Sequence, residues 1–308
     1  MYNPSKPYKA KIFELIKKTW NTPLIEVKKD IYPVFKEKIS GWKVDHTDGI
    51  GTKGDYHWSQ KTFKNAVLDA LAMNLNDLAL VRAIPYKLQN HIILPEDNHK
   101  YILEIVEHLS KECQKRHIVM TGGETSIHNN ITSLDISMTV SGFIKDLKQN
   151  MCKVGDVLIG IRSNGLHSNG FTKVRELFGN ENREEFTRPT HIYLDEVLNV
   201  CDKFNVNGMM HITGGSFTKL KDITGNVDIK IYRDKPHKIF YEIYNKGVTD
   251  KEMYTIFNCG IGFILSVPND SKKDVINNLT DAFEIGEVVK GKGNIIIESS
   301  FSENTITL

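Results

Sequence analysis

Three acidic residues in the first half of the sequence lie beside turns or at the end of a helical stretch. Asp48 opens the run DGIGTKGD, Asp77 follows a small-residue helical stretch, and Glu124 follows a pair of glycines. Carboxylates on separate turns can hold a hard divalent cation from several directions and still leave positions for phosphate and water. Each one alone is more commonly an ordinary turn carboxylate, so the predicted Mg²⁺ site rests on the set.

The run HTDGIGTKGD also satisfies the G-x-G-x-x-G spacing of dinucleotide-binding turns, through Gly49, Gly51 and Gly54. That motif requires a helix directly after the turn, and the residues DYHW after Gly54 predict a poor helix start. Asp48 would also repel a pyrophosphate. A metal–nucleotide site suits the run better, with Asp48 as a metal ligand and Lys53 against phosphate oxygens. A surface turn in which the two charges merely pair explains these ten residues equally well.

Two loops rich in glycine and hydroxyl groups follow in the second half. In RSNGLHSNGF, Leu166 and His167 stand where a Walker A loop requires Lys and Ser or Thr, which excludes a P-loop ATPase. We expect Ser168 or Asn169 to cap the helix after this loop. His167 is either an ordinary loop histidine or a donor to a phosphoryl oxygen. The second loop, HITGGS, supplies Thr213, Gly214 and Gly215.

Together, acidic turns in one half and donor-rich loops in the other predict a site assembled from both halves. Phosphoryl transfer fits this set, because it depends on positioning and charge neutralisation more than on covalent chemistry by the protein.

Apolar periodicity predicts the elements that hold these residues. A stripe of mostly small residues predicts a helix that packs closely on a sheet, and Ser271 with Asp274 predicts a capping pair for the last helix. That stripe consists of Phe63, Ala66, Val67, Ala70, Leu71 and Asn74. The predicted helices cover residues 9–18, 62–80, 100–116, 171–179, 190–204, 237–246 and 271–283. The predicted strands cover residues 117–126, 134–144, 155–161, 259–267 and 293–299.

Strands and helices are mixed in both halves, which favours α+β or α/β domains over a helical bundle or a β-sandwich. The pattern restarts after KDLKQNMCKVGD, so we place a domain boundary near residue 150, with domains at 1–150 and 151–308.

Composition narrows the class of protein. The chain has 308 residues, 40% of them apolar, and a formal charge of +2, so no overall field recruits nucleic acid or an anionic membrane. The charged N-terminus lacks the apolar core of a signal peptide, which predicts a cytoplasmic protein. The four cysteines are dispersed without metal spacing, so we expect reduced, buried thiols.

The order of these segments resembles the phosphoribosylformylglycinamidine cyclo-ligases, also called aminoimidazole ribonucleotide synthetases. The matching runs are colinear from residue 47 to about 288, which is more specific than any single motif. They are TDGIGTK, DALAMNLNDL, TGGET, GDVLIGIRSNGLHSNGFTKVR, RPTHIY, HITGGSF, MYTIFNCGIGFIL and IGEV.

The resemblance implies an α+β fold of two domains. The N-terminal domain would bind ATP and Mg²⁺, and its mixed sheet with helices would close a β-barrel across a homodimer. The C-terminal α/β domain would bind the substrate. The implied reaction is the ATP-dependent cyclisation of formylglycinamidine ribonucleotide to aminoimidazole ribonucleotide in purine biosynthesis.

The resemblance also implies roles for matching positions. Catalytic roles fall to Lys53, Asp77 and His167. ATP binding falls to Asp48, Gly49, Gly51, Thr52, Lys53, Asn76, Asp77, Gly123 and Glu124, with Mg²⁺ held by Asp48, Asp77 and Glu124. Binding of the substrate phosphate falls to Ser168, Asn169, Thr213, Gly214 and Gly215.

Two alternatives stay open. The family's glycine-rich G-G-F-G segment near the N-terminus has no counterpart in WNTPLIEVKKDIYPVFK. A phosphoryl-transfer relative with another acceptor, of the selenophosphate synthetase or thiamine-monophosphate kinase type, is one alternative. A non-catalytic nucleotide-binding protein is the other.

Overall fold

A computed structural model of the chain describes residues 8–23, 26–29, 35–38, 41–144 and 147–308. Within them the helices are α1 (Lys9–Lys18), α2 (Gly54–Gln60), α3 (Phe63–Leu80), α4 (His99–Lys115), α5 (Phe171–Phe178), α6 (Leu194–Lys203), α7 (Lys221–Thr224), α8 (Lys238–Asn245), α9 (Asp250–Ile256) and α10 (Lys272–Asn277). The strands are β1 (Glu26–Lys29), β2 (Phe35–Lys38), β3 (Trp42–Gly49), β4 (Ala83–Leu94), β5 (Val119–Ile127), β6 (Asp135–Ile144), β7 (Asp156–Arg162), β8 (Gly208–His211), β9 (Val227–Ile231), β10 (Ile261–Pro268), β11 (Ala282–Lys290), β12 (Ile295–Glu298) and β13 (Thr305–Thr307).

The chain divides into two compact units. The first comprises the described parts of residues 1–78 and 83–146, and the second comprises residues 79–82 and 147–308. Each unit has its own sheet, so the chain is a mixture of strands and helices in both halves, as its sequence predicted.

In the first unit, a four-stranded sheet has the order β3-β6-β4-β5. Strand β6 pairs antiparallel with β3 and β4, whereas β4 and β5 run parallel, so the sheet is mixed as expected. Alternate residues of β6, such as Met138 and Val140, are buried, and the residues between them are polar. One face of this sheet is therefore apolar and the other is polar.

Helix α3 is more deeply buried than its predicted stripe requires. All six stripe residues are at most 1% exposed, and Leu71 to Leu75 are buried without interruption. The small side chains of Ala66 and Ala70 lie in this buried helix, which agrees with the predicted close packing.

The second unit contains a seven-stranded sheet of order β13-β12-β9-β11-β7-β10-β8. Its strand pairs are antiparallel except for β9 and β12, which run parallel. Strands β7 and β10 are buried along almost their whole length, as expected for central strands covered on both faces. Helix α5 turns Phe171, Val174 and Phe178 into the core and ends at Gly179, which confirms its predicted face.

Two predictions about local structure are wrong. The residues after Gly54 do form a helix, α2, which follows a single 3₁₀ turn over Gly51–Lys53. The Ser271–Asp274 capping pair does not form, because the Ser271 hydroxyl donates to Asp270 at 3.2 Å and α10 has no side-chain cap. Helix α10 also ends at Asn277, since the chain turns at Asp281 with φ 51° to enter β11.

All four cysteines are buried free thiols, as their dispersed positions predicted. Burial raises the pKa of the Cys113 thiol to about 12. None of the helices in the described part of the chain is long and apolar enough to span a bilayer.

Candidate active site

A cluster of four polar side chains joins β3 to α3. His46 and Asp48 share one face of β3, being two positions apart. Asn74 and Asp77 share one face of α3, being three positions apart. Nε2 of His46 lies 3.3 Å from Oδ2 of Asp77, and its Nδ1 lies 3.1 Å from Oδ1 of Asn74. The Asn74 amide donates to the backbone carbonyl of Asp48 at 3.1 Å. The fold thus brings together two of the three predicted metal ligands.

The contacts of His46 favour its protonated form. The Asn74 amide nitrogen donates to two backbone carbonyls, so its Oδ1 is the acceptor and Nδ1 of His46 donates to it. The hydrogen bond with Asp77 raises the pKa of His46; burial lowers it, and the charges of Asp77 and Asp48 raise it further, so that the net change is upward. The two carboxylates therefore favour the imidazolium form of His46 between β3 and α3.

Lys53 lies in a different environment from the one predicted for a phosphate contact. Its side chain is fully buried, and Nζ lies 2.8 Å from Oδ2 of Asp69 on α3. Nε2 of His57 lies 2.8 Å from the same oxygen, and Nδ1 of His57 lies 2.8 Å from the Thr62 hydroxyl. The ammonium group faces the interior, so the structure corrects the expectation that it meets phosphate at the surface.

The charges of this buried group follow from its contacts. Burial alone raises the pKa of Asp69, but the Lys53 charge and the hydrogen bonds from His57 and Lys53 bring it far below its ordinary value. Burial lowers the pKa of Lys53 and of His57, and Asp69 opposes both shifts. Asp69 is ionised, and His57 is neutral with Nε2–H donating to it.

The glycines of the DGIGTKGD turn serve close packing. A β-carbon at Gly49 would lie 2.8 Å from the Ile136 carbonyl oxygen, and one at Gly54 would overlap the Leu134 carbonyl. Gly51 has φ 54° and open space around it, so its backbone is accessible. The turn thus packs against the start of β6 and exposes bare backbone between Gly49 and Lys53.

Glu124 does not join Asp48 and Asp77. Cross-strand partners share a face of the sheet, and Asp48 is in register with the buried Met138. Glu124 pairs with His91, which pairs with Ser137 on the polar face. Glu124 therefore lies on the opposite face from Asp48. Among the described residues, no group of three or more His, Cys, Asp or Glu side chains is arranged to hold a metal ion, so the three-carboxylate site stays a prediction.

A polar groove of about 330 Å³ crosses the same sheet. Its floor joins all four strands, through residues such as Thr47, Thr139, Gln89 and Gly122. Gly123 lies at this groove too, and a β-carbon there would overlap the Asn90 side chain. Asn76, another predicted nucleotide contact, is fully buried on α3.

In the second unit, Asn258 holds the SNGLHSNG loop in shape. Its Nδ2 donates to the carbonyls of Gly165 at 2.9 Å and Leu166 at 3.2 Å. Its Oδ1 accepts from the Ser163 hydroxyl at 2.9 Å and from the Gly260 amide at 2.8 Å. All four hydrogen-bonding positions of this amide are used, so Asn258 acts as a structural hydrogen-bonding residue of this loop.

The two predicted donor-rich loops meet in this unit. Asn169 donates to the Thr213 carbonyl at 3.3 Å and to the Ile256 carbonyl, and a β-carbon at Gly214 would lie 4.0 Å from its Oδ1. Ser168 exchanges a hydrogen bond with the Thr190 hydroxyl at 2.9 Å. Neither side chain caps α5, which begins after Gly170 without a side-chain cap; the capping prediction is wrong.

His167 is buried and has a left-handed backbone conformation, φ 61°. Its ring lies 6.1 Å from that of Tyr193, and a β-carbon at Gly262 would lie 2.7 Å from its Cε1. The Tyr193 hydroxyl donates to the Arg162 carbonyl at 2.8 Å. The imidazole is therefore fixed by packing, and its role in phosphoryl transfer stays a prediction.

Comparison with known proteins places both units in one family. Residues 38–144 match the family model described as AIR synthase related protein, N-terminal domain, and residues 153–298 match the corresponding C-terminal domain. The phosphoribosylformylglycinamidine cyclo-ligase of Sulfurisphaera tokodaii is 37% identical over 259 residues, covering 80% of each chain. The chain belongs to the phosphoribosylformylglycinamidine cyclo-ligase family. It is therefore related to a family of ligases.

Other cyclo-ligases show a similar relation. The enzyme of Saccharolobus solfataricus is 34% identical, covering 80% of this chain and 79% of its own. That of Clostridium perfringens is 33% identical, covering 83% and 84%. The recognition made from the motifs is confirmed by these relatives.

Solved structures share the fold at lower identity. The hydrogenase maturation protein HypE in complex with ATP has a TM-score of 0.71 at 15% identity, covering 99% of this chain and 95% of its own. The thiamine monophosphate kinase of Aquifex aeolicus has a TM-score of 0.63 at 18% identity, covering 97% and 100%. Both agree with the mixed α/β fold.

Sequence reasoning missed His46 and Asn74 as members of the acidic cluster. A signal for each was present, because His46 precedes Asp48 by one strand repeat and Asn74 precedes Asp77 by one helical turn. It also missed Asp69, the counter-charge of Lys53. Asp69 lies in the buried part of α3, where the sequence pattern indicates a core position.

Proposed function

We propose that this protein closes the imidazole ring of aminoimidazole ribonucleotide, using ATP and formylglycinamidine ribonucleotide, in purine biosynthesis. The observation that carries the proposal is the relation to curated cyclo-ligases, at 32–37% identity over at least four fifths of the chain. The fold neighbours with other activities are only 15–18% identical, which favours the cyclo-ligase over the other acceptors.

The reaction requires a good leaving group on the formyl carbon, and an amide oxygen is a poor leaving group. Transfer of the terminal phosphoryl of ATP to the formyl oxygen gives ADP and an activated carbon. The amidine nitrogen attacks that carbon and loses a proton, the carbon–oxygen bond breaks, and inorganic phosphate leaves. The protein must then position both substrates and neutralise the charge on the phosphoryl group.

We assign the cation of the nucleotide to the carboxylates of Asp48 and Asp77. Mg²⁺ is commonly bound by one or two carboxylates together with substrate phosphates, and both carboxylates favour positive charge in their surroundings, since both raise the pKa of His46. When bound, Mg²⁺ would neutralise charge on the phosphates. Asp48 and Asp77 would hold it, and Glu124 is left out because it lies on the other face of the sheet.

The nucleotide itself would contact exposed backbone. Gly49, Gly51 and Thr52 border the accessible part of the glycine turn, and Gly123 lies at the polar groove. Lys53 contributes by holding this turn to α3 through Asp69, rather than by touching phosphate.

We assign the substrate phosphate to the meeting point of the two loops in the second unit. Ser168, Asn169 and Gly214 bring a hydroxyl, an amide and bare backbone together, and Gly215 turns the chain with φ 80° beside Thr213. His167 would orient or protonate the transferring group from within the loop.

We further propose a cytoplasmic homodimer in which two four-stranded sheets combine into a barrel. Strand β3 supports this, because it is an edge strand of the sheet and its Trp42 is 65% exposed. Exposed apolar side chains on an edge strand favour association with another chain.

The direct test is an assay with formylglycinamidine ribonucleotide, ATP and Mg²⁺, in which ADP, phosphate and aminoimidazole ribonucleotide are quantified by mass spectrometry. Asp48→Asn should lower kcat by about 100-fold or more, since it removes a charge from the phosphoryl-transfer site. Glu107→Gln, a change at an exposed carboxylate on α4, serves as the control and should leave turnover unchanged.

Two outcomes would count against the proposal. ADP release stimulated by a different acceptor, with no imidazole formed, would favour a phosphoryl-transfer relative. Tight ATP binding with no hydrolysis in the presence of any acceptor would favour a nucleotide-binding protein without catalysis.

A further inference from the structure

Tyr193 and Gly262 belong to two of the runs that resemble the cyclo-ligases, RPTHIY and MYTIFNCGIGFIL. Neither residue has a role in the site assigned above. Both lie next to His167 in the second unit, so their contacts determine how the fold holds this imidazole.

A bulge in β10 makes the space in which the Tyr193 side chain ends. The pairing of β10 with β7 shifts register between Ile261 and Phe263, so Gly262 is the extra residue of the bulge. A β-carbon at Gly262 would overlap the Tyr193 hydroxyl and lie 2.7 Å from Cε1 of His167. Both side chains therefore occupy space that only a glycine leaves free.

The Tyr193 hydroxyl is anchored at this bulge. It donates to the Arg162 carbonyl at 2.8 Å, and Arg162 pairs with Ile261 beside the bulge. Tyr193 is fully buried, and burial raises the pKa of its hydroxyl, so the group keeps its proton and remains a donor. This hydrogen bond fixes the end of the ring.

The ring of Tyr193 packs beside histidines of both donor-rich loops. Its centroid is 6.1 Å from that of His167 and 6.4 Å from that of His211, and both histidines are buried. The Gly262 carbonyl accepts from the amide of Ile212, in the HITGGS loop, at 2.9 Å. The bulge and the ring therefore contact both of the loops that we assign to the substrate phosphate.

His167 requires support because its backbone lies in the left-handed region, with φ 61°. A residue with a β-carbon is disfavoured there and persists only where its surroundings fix it. Asn258 holds the loop through the Leu166 carbonyl at 3.2 Å, and Tyr193 packs against the imidazole itself. Strained residues of this kind are frequent at functional sites.

We propose that Tyr193 is a positioning residue of the reaction, whose hydroxyl, anchored at the Gly262 bulge, fixes the direction of the His167 imidazole relative to the HITGGS loop. This inference rests on the proposed function, in which His167 orients or protonates the transferring group. Tyr193 acts through His167, because its own hydroxyl is committed to the Arg162 carbonyl.

The first test follows His167 without turnover, by NMR of the imidazole Cε1–H groups in the full chain. The His167 signal is assigned from its loss in His167→Gln. Tyr193→Phe keeps the aromatic ring and removes only the hydroxyl, so the chain should fold and the His167 signal should shift. Tyr254→Phe is the matched control, because Tyr254 is also buried and its hydroxyl accepts from the Ser300 amide at 2.8 Å. It should leave the His167 signal unchanged.

The second test measures turnover of formylglycinamidine ribonucleotide with Mg²⁺ and ATP. Tyr193→Phe should lower kcat by about tenfold or more, because small misplacements of a reacting group are costly to the rate. The change in KM should be smaller, since the disturbed group acts in the transition state. In a His167→Gln background, Tyr193→Phe should lower kcat by less than about twofold, because the group that it positions is already absent.

Two results would overturn the inference. One is a His167 signal that is the same in Tyr193→Phe and in the unchanged protein. The other is an equal loss of kcat from Tyr193→Phe with and without His167, which would show that Tyr193 acts independently of the imidazole. Absence of cyclisation by the unchanged protein would instead refute the proposed function, and the NMR comparison would still decide whether Tyr193 fixes His167.

Discussion

One oxygen of Asp69 accepts from two donors inside the first unit, Lys53 and His57, each at 2.8 Å. Asp69→Asn would leave the Lys53 ammonium buried without its counter-charge. We expect the free energy of unfolding to fall by about 3–5 kcal/mol, the usual consequence of breaking a buried pair. Denaturant unfolding of Asp69→Asn and of the unchanged protein, with midpoints and slopes compared, measures this loss of unfolding free energy.

A double variant separates charge from volume. Lys53→Met with Asp69→Leu removes both charges and keeps the site filled, so it should recover most of the lost stability. An Asp69→Asn protein that unfolds at the unchanged midpoint would show that the pair contributes nothing to the fold.

The contacts of His57 make folding sensitive to pH. Its Nδ1 accepts from Thr62 and its Nε2–H donates to Asp69, so the folded state holds it neutral, and burial lowers its pKa below the ordinary 6.5. Below pH 6.5 the unfolded chain binds a proton that the folded chain does not, so stability falls as pH is lowered from 6.5. Unfolding free energies between pH 7 and 5 should show this fall, and a non-titrating His57→Gln should show less of it. Equal slopes for the two proteins would contradict the assignment.

At the scale of elements, the start of α5 requires a residue without a side chain, Gly170. Gly170 has φ 77°, and a β-carbon there would lie 2.5 Å from Cε1 of the buried Phe257. Gly247, after α8, has φ 94° and nothing within 4 Å. Gly247→Ala should therefore cost about 1 kcal/mol of backbone strain, whereas Gly170→Ala should cost about 1–3 kcal/mol more from overpacking. Thermal unfolding of both variants tests the difference; equal losses would show that Phe257 moves aside.

Helices with a clear apolar periodicity were predictable, whereas strands without a clean alternation were not. The apolar spacing of α3 and α4 identified both helices within a residue or two. Strands β3 and β4 were missed because β3 carries alternating charged residues and β4 contains Pro85 and a bulge. Helix α2 was missed because its Tyr56 and His57 are poor helix formers whose burial compensates.

The residues of the candidate site could be chosen from the sequence, but the face of the sheet on which each side chain lies depends on strand register and could not be predicted. In the structure Asp48 and Asp77 both raise the pKa of His46, and their shared role at a metal ion stays a prediction. For Glu124 no sequence pattern fixed that register, and a one-residue change of register reverses the face of a side chain. The burial of Lys53 was equally hidden, because its partner Asp69 lies within the apolar helix α3 and belongs to no recognisable acidic motif.

At the scale of the whole molecule, fold and reaction are separable. HypE and thiamine monophosphate kinase share this architecture at 15–18% identity, so the arrangement of sheets alone does not choose the acceptor. The proposed acceptor rests instead on the 32–37% identity of the chain to cyclo-ligases.

The proposed homodimer makes a prediction for Trp42. This side chain is 65% exposed at the start of edge strand β3, and the barrel requires that sheet to associate with its copy. Trp42→Asp places a charge at the edge, which should weaken the dimer by about tenfold or more, because burying an unpaired charge is unfavourable. Sedimentation velocity across a range of concentrations gives the dissociation constant. Leu147→Asp, at a side chain 64% exposed in the second unit, is the matched control and should leave it unchanged. A chain that sediments as a monomer at every concentration would rule out the barrel, while the cyclisation assay would still decide the chemistry.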